Sequence, residues 1–481
     1  MTQPTTPQKA KKHFLAKGMA GAELAGRPGL WYHRPMETLF VIGGGLAGCE
    51  AALQAAEAGV QVRLIEMKPA RMSPAHHDPR LAELVCSNSL RNDQPSSAVG
   101  LLKLELEIMG SRLMAAARQS AVPAGKALAV DRGRFAELVD QQVRNHPRIK
   151  LIGQEAVAPP EDAPCILASG PLTDGALAQW LAQRAGAAHL HFYDAIAPIV
   201  TRESVDMDHA FWGDRWAEPG QGDYLNCPLD RQQWAAFYAA LTAAENVALH
   251  DFESPRFFEG CLPIEVMAAR GEQTLLFGPM KPVGLHRPGQ PGRFHAVVQL
   301  RKEDAEGRLL NMVGFQTKLT HQSQLRVFRL IPALAHAEFA RLGSIHRNSF
   351  VDAPRVLDAF MRLRTAPNVF VAGQLAGVEG YVESMAAGLL CGLNAARLLK
   401  GQQPLRPPAT TALGGLLAHL ANDQTKDFQP SNVNFGLLPP LGGKKIPKKD
   451  RGALLARRAM QDLLAWLGDQ GLTPAKAAPP L

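Results

Sequence analysis

The sequence predicts an α/β fold, Rossmann-like and built in two parts, with an α+β insertion domain between the parts. Three observations predict it. An apolar run at 39–42 leads into the turn Gly43-Gly44-Gly45-Leu46-Ala47-Gly48 and then an Ala-rich stretch with helical spacing. A second strand, Gly-rich loop and long Ala-rich helix pattern returns far downstream, over 369–399. Between them, residues 201–330 change character, with aromatics, short alternating runs such as 295–300, and many turn residues.

The elements follow in chain order. Residues 1–35 show no apolar periodicity and are expected to form a flexible basic extension, so the fold should begin at Met36. A strand at 39–42, a helix at 46–58 and a second strand at 60–65 make a βαβ beginning. A Pro-broken polar segment precedes one amphipathic helix expected over 98–118. The apolar run 165–169 ends in Ser169-Gly170-Pro171, where a doubly wound sheet delivers another loop to its ligand. The first part thus covers 36–200, the insertion 201–330, the second part 331–400, and a Pro- and Lys-rich C-terminal region 401–481, with a helix at 454–467.

Composition narrows the function classes. At 481 residues the chain exceeds one ordinary core. No uncharged apolar run of about eighteen residues occurs, so no membrane span is expected, and the Lys- and Pro-rich start lacks a signal-peptide core. A cytoplasmic location is expected. The net charge is +8, with much of the excess in the two ends, which suits a polyanion such as nucleic acid and equally suits a solvated tail. Six widely spaced cysteines contain no CxxC pair, so neither a metal site nor a disulfide framework is expected. Cys49 and Cys391, set among small apolar residues, read as helix packing.

Four motifs carry chemistry. In Gly43-x-Gly45-x-x-Gly48, the first glycine permits the tight turn, the second lets backbone approach a pyrophosphate, and the third lets helix pack on strand. Gly44, Leu46 and Ala47 complete the turn, whose helix N-terminus offers N–H groups to phosphates. Glu66 follows where a carboxylate can accept ribose hydroxyls. The downstream segment supplies Gly373, Gln374, Glu379 and Gly380, resembling the second cofactor-contacting stretch of two-part flavoproteins, which favours FAD over NAD. Cys86 lies in Glu83-Leu84-Val85-Cys86-Ser87-Asn88, with His76, His77, Arg80 and Arg91 nearby in sequence. Such cations and turn amides lower a thiol pKa, although a buried inert cysteine fits the spacing as well. Cys261 lies in Phe258-Glu259-Gly260-Cys261-Leu262-Pro263, flanked by carboxylates that would raise its pKa unless Arg270 or Lys281 offsets them. The rigid stretch 277–285 follows it. Lys281, that loop and Arg301 have the character of folate or RNA contacts.

Together these stretches resemble the folate- and FAD-dependent tRNA (uracil-5-)-methyltransferases, the TrmFO family. The likeness runs from about 39 to 400 and includes Cys-Ser-Asn-Ser-Leu (86–90), Ala-Leu-Ala-Val-Asp-Arg (127–132), Phe-Glu-Gly-Cys-Leu-Pro-Ile-Glu (258–265) and Gly-Val-Glu-Gly-Tyr-Val-Glu-Ser (377–384). Residues 1–35 lie outside it. The resemblance implies methylation of C5 of the T-loop uridine in tRNA, with methylenetetrahydrofolate as one-carbon donor and NAD(P)H reducing the FAD. It implies Cys261 as the nucleophile toward uracil C6 and Cys86 as the thiol beside the flavin. No obligatory protein partner is implied. The alternatives are a related FAD- and folate-dependent protein that modifies wobble uridines, and a plain flavin oxidoreductase.

Overall fold

The computed structural model describes residues 38–185, 189–247, 262–289, 293–425, 428–442 and 446–479. Its first sheet has six strands in the order Arg362–Leu363, Ala366–Val371, Cys165–Leu167, Thr38–Ile42, Gln61–Glu66 and Ile149–Gly153. All pairings are parallel except that of the short edge strand Arg362–Leu363. The central strands are nearly all apolar because helices cover both faces, the usual condition of parallel sheets. Chain order reverses at Thr38–Ile42, whose sequence neighbour Gln61–Glu66 lies on one side and the much later Cys165–Leu167 on the other. Ile42 pairs with both Ile65 and Leu167, and Leu167 also pairs with Val371. The carboxyl ends of these strands are therefore level, and the loops leaving them diverge to open a crevice.

Two helices close the sheet from below the crevice. Leu46–Glu57 crosses Tyr381–Leu399 through small residues: a Cβ on Gly388 would lie 2.2 Å from the Ala47 carbonyl oxygen, and one on Gly392 2.4 Å from that of Ala51. Cys49 and Cys391 are buried here, as their small-residue contexts suggest. Tyr381–Leu399 is long and apolar enough to cross a membrane by composition, and most of it is buried in this core.

The helix expected over 98–118 is two helices, Ala98–Ile108 and Arg112–Gln119. Gly110 takes φ +83° and ends the first, while the Ser111 hydroxyl accepts the Met114 N–H at 3.1 Å and starts the second. Both faces of Ala98–Ile108 are buried, which the apolar pattern could not separate from a continued helix.

A second, antiparallel sheet is ordered Phe211–Trp212, Tyr224–Leu229, Ala296–Lys302, Leu309–Met312, Ile199–Thr201 and Phe339–Arg341. It has its own core, with Trp234, Phe237, Phe315 and Phe328. This sheet exceeds the 201–330 boundaries, since Phe339–Arg341 pairs with Ile199–Thr201. The crossings run through the antiparallel pair His189–Ala195 and Ile345–Val351. The C-terminal region is not merely a solvated tail: Ala412–Leu420 and Lys448–Asp469 add Leu413, Leu416, Leu463 and Leu467 to the first core. The buried Glu105 carboxylate accepts the Ala412 and Leu413 amides at 2.7 and 2.8 Å, capping the first of these helices.

Candidate active site

The crevice is an open cleft at the carboxyl ends of the parallel strands. Its floor is the turn 43–47, and its walls come from Glu66–Lys68, Ala168–Asp174, Ala372–Gln374, Tyr381 and Ser384. The three motif glycines differ in what surrounds them. A Cβ on Gly48 would lie 1.8 Å from the Gly43 carbonyl oxygen, so that glycine serves close packing. A Cβ on Gly45 would meet no protein atom within 4 Å. That emptiness is a cradle beside a helix N-terminus, where a diphosphate could approach the backbone.

Glu66 reaches the same turn. Its carboxylate accepts the Gly44 N–H at 2.5 Å and the Lys68 N–H at 2.9 Å, which fixes it at the cleft wall. On the opposite wall, Gly373 (φ +74°) brings backbone so close that its Cβ would lie 3.0 Å from the Ala47 Cβ. Gln374 donates to both oxygens of the buried Glu379, at 3.1 and 3.0 Å. Burial, with the charge of Asp194 next, holds the Glu379 carboxyl above the usual carboxylate range. Gly380 (φ +112°) begins the helix Tyr381–Leu399, and the cleft-lining residues Tyr381 and Ser384 lie in its first turn.

Cys86 sits where this second segment meets the loop after Leu84. Its Sγ is 3.0 Å from the Tyr381 hydroxyl, which also accepts the amides of Cys86 at 2.9 Å and Ser87 at 3.2 Å. Two amides on the phenol oxygen leave its proton available to the sulfur. Burial pushes the thiol up to about 11, with Asp194 adding to the rise; the Tyr381 hydrogen bond and Arg132 oppose it. The expectation of a lowered pKa from His76, His77, Arg80 and Arg91 is therefore corrected. Arg91 is bound to Glu383, Arg80 to Asp78 and the Gly133 carbonyl, and His77 donates its backbone amide to Glu83. His76, beside Ser73, is pushed down to about 4 by burial and is neutral.

Arg301 also meets this loop. It is buried and donates to Asn88 at 3.0 Å and Ser87 at 2.8 Å, tying the second sheet to the Cys86 loop. Lys281 is half-buried in a loop pinned by the buried Met280 and Leu285. Cys261 lies outside the described residues.

Several site residues carried no motif signal of their own. Tyr381 stood inside the quoted stretch 377–384, and its adjacency to Cys86 spans 295 positions of sequence. Arg71 binds both Glu155 and Asp174, two residues of the cleft wall, and nothing local marks those three as partners.

Comparison with known proteins agrees with this geometry. The family model described as glucose inhibited division protein A matches residues 38–403. A relative from Geotalea daltonii, named methylenetetrahydrofolate--tRNA-(uracil-5-)-methyltransferase TrmFO, is 55% identical over 428 residues, covering 89% of this chain and 98% of its own. A relative of the same name from Geobacter sulfurreducens is 55% identical over 427 residues, covering 89% and 98%. Among solved structures, GidA of Aquifex aeolicus superposes with a TM-score of 0.62 at 16% identity, covering 90% of this chain and 76% of that one, a likeness of fold. With two-thirds and more of its length matched on both counts, the chain belongs to the glucose inhibited division protein A family and to the TrmFO family.

Proposed function

We propose that this chain methylates C5 of the T-loop uridine of tRNA, as a methylenetetrahydrofolate-dependent, FADH2-oxidizing methyltransferase. The observation that carries the reading is the Cys86 thiol, held 3.0 Å from a cleft-lining tyrosine at the edge of a glycine-floored cleft. A plain dinucleotide oxidoreductase has no need of a thiol there, and the relatives' printed name supplies the substrate class.

The cleft fits FAD on its own chemistry. Gly43, Gly44, Gly45, Leu46, Ala47 and Gly48 would hold the diphosphate, and Glu66 the ribose hydroxyls. Gly373, Gln374, Glu379 and Gly380 would present backbone and side-chain polar groups to the flavin end. Bound and reduced, FAD would supply the electrons and accept the one-carbon unit of methylenetetrahydrofolate, with NAD(P)H as reductant.

The chain's own groups do the rest. Uracil C6 is a weak electrophile, so a soft thiolate is the suited nucleophile, and Cys261 takes that role by its motif. Cys86 stands beside the flavin end, where the Tyr381 hydroxyl donates to its sulfur and orients it. The T-loop base must be extruded to reach them, at a cost of a few kcal/mol. Basic ends of the chain would neutralise RNA phosphates, so affinity should fall with salt. The reading places the protein in the cytoplasm with no obligatory protein partner.

The GidA-like fold supports a second reading, modification of wobble uridines, but at 16% identity it speaks for architecture alone. The test is label transfer from methylenetetrahydrofolate into undermodified tRNA with NADH. Cys261→Ala should lose methyl transfer while retaining yellow flavin, and full activity in that variant would overturn the assignment. Labelling at the anticodon instead of the T-loop would favour the second reading.

A further inference from the structure

The loop that carries Cys86 is gripped from beneath by two guanidinium groups. Arg132, at the start of the helix Arg132–Asn145, donates to the carbonyls of Leu84 at 2.6 Å and Val85 at 3.4 Å. Arg341, from the second sheet, donates to the Val85 carbonyl at 2.9 Å. Both are therefore anchored on the residues immediately before the thiol. Glu303, which follows the strand Ala296–Lys302, is ion-paired with Arg132 and is 3% exposed.

This knot is electrically incomplete. Arg132 Nη2, Arg341 Nε and Arg341 Nη2 are buried without an acceptor, against one buried oxygen, Glu303 Oε1, without a donor. Two guanidinium charges face one carboxylate, and buried N–H groups left unmatched are expensive unless an anion answers them. Arg132 and Arg341 both interact electrostatically with Cys86 and Tyr381. The other charged groups acting on the thiol are Asp194, from the strand His189–Ala195, and Glu379, from the loop before Tyr381, and both disfavour its ionisation. Arg301 also reaches the loop but is engaged by Asn88 and Ser87, so Arg132 and Arg341 are the neighbouring cations with N–H groups left over.

We propose that Arg132 and Arg341 are positioning residues that set the acidity of the Cys86 thiol, with Glu303 as the opposing charge that restrains them. Ionisation of the thiol gives its proton to solvent, and the sulfur anion supplies the negative charge the two guanidinium groups lack. The relation links elements far apart in the chain: Arg132 starts the helix Arg132–Asn145, while Arg341 ends a strand of the second sheet and Glu303 follows another. The inference deepens the reading of Cys86 as a working thiol and rests on it.

The test measures the thiol and requires neither folate nor tRNA, so it fails separately from the methyltransferase reading. Full-length protein is alkylated with iodoacetamide across a pH series, and the Cys86 peptide is followed by mass spectrometry. Arg341→Met should raise the pH midpoint of Cys86 alkylation by about one unit, a roughly tenfold slower reaction below the midpoint. Arg341→Lys, which keeps the charge, should restore most of it. Glu303→Gln should move the midpoint the other way. A loop merely loosened by mutation would react faster in both Arg341→Met and Glu303→Gln. That result, or midpoints unmoved in both, overturns the proposal.

Discussion

Gly388→Ala tests the helix crossing on which the cleft floor rests. In an ordinary helix interior this substitution stabilises by about 1 kcal/mol, because alanine loses less backbone freedom. Here the new Cβ would stand 2.2 Å from the Ala47 carbonyl oxygen and 2.9 Å from its carbonyl carbon and Cα, against 3.4 Å or more for ordinary contact. Backbone atoms cannot rotate aside, so the two helices must part by about 1 Å along a close-packed face. Overpacking of that kind costs about 1–3 kcal/mol, and with no rotamer to absorb it the upper part of the range applies. The net expectation is a loss of about 1–2 kcal/mol, read as a lower urea midpoint at unchanged slope. FAD binding should weaken as well, since Ala47 lines the cleft. Gly468→Ala is the matched control: it sits in the helix Lys448–Asp469 with no atom within 4 Å of its Cβ, so it should be neutral or stabilising. A Gly388→Ala protein as stable as the parent would refute the reasoning.

Two further outcomes follow from the same geometry. Gly45→Val should fold with a stability loss under about 1 kcal/mol, because Gly45 has φ −78° and open space around its Cβ, yet FAD affinity should fall about tenfold or more as the side chain fills the cradle; isothermal titration checks it, and parental affinity would remove Gly45 from the phosphate site. For Glu105, burial raises the carboxyl to about 8 from an unfolded value of 4.5, so the folded state binds the extra proton between these values and stability declines as pH rises from about 4.5 to about 8; Glu105→Gln should flatten that part of the urea-midpoint profile, and an unchanged slope would contradict the assignment.

The parts of the fold that the sequence disclosed are those where local chemistry and tertiary role coincide. Gly43 and Gly48 are required by backbone approach within a few residues, so their spacing announces them. The strand Ala366–Val371 and the helix after it repeat the same grammar and are equally legible. The break at Gly110-Ser111 was not, because a buried helix shows no polar face whose phase could slip. Nor was the reach of the second sheet to Arg341, since Phe339–Arg341 is three residues long and is defined by its partner Ile199–Thr201. At the site, proximity in sequence misled: the cations near Cys86 in the chain are engaged elsewhere, while Arg132 and Arg341 come from remote segments to hold its loop. Acidity depends on neighbours in space and on burial, and neither is written in spacing.

The crossing of Leu46–Glu57 with Tyr381–Leu399 also sets an order of events during synthesis. The first strand, the glycine turn and the first helix emerge early from the ribosome, yet the strand and helix that complete their sheet are made more than 300 residues later. The second sheet, with its separate core and antiparallel pairings between Ile199 and Arg341, is finished before them. A nascent chain stopped short of Ala366 can assemble that sheet but leaves the small-residue face of the first helix without its partner Tyr381–Leu399. The cofactor cleft is thus a late product of translation, and FAD can engage only a chain that is nearly whole.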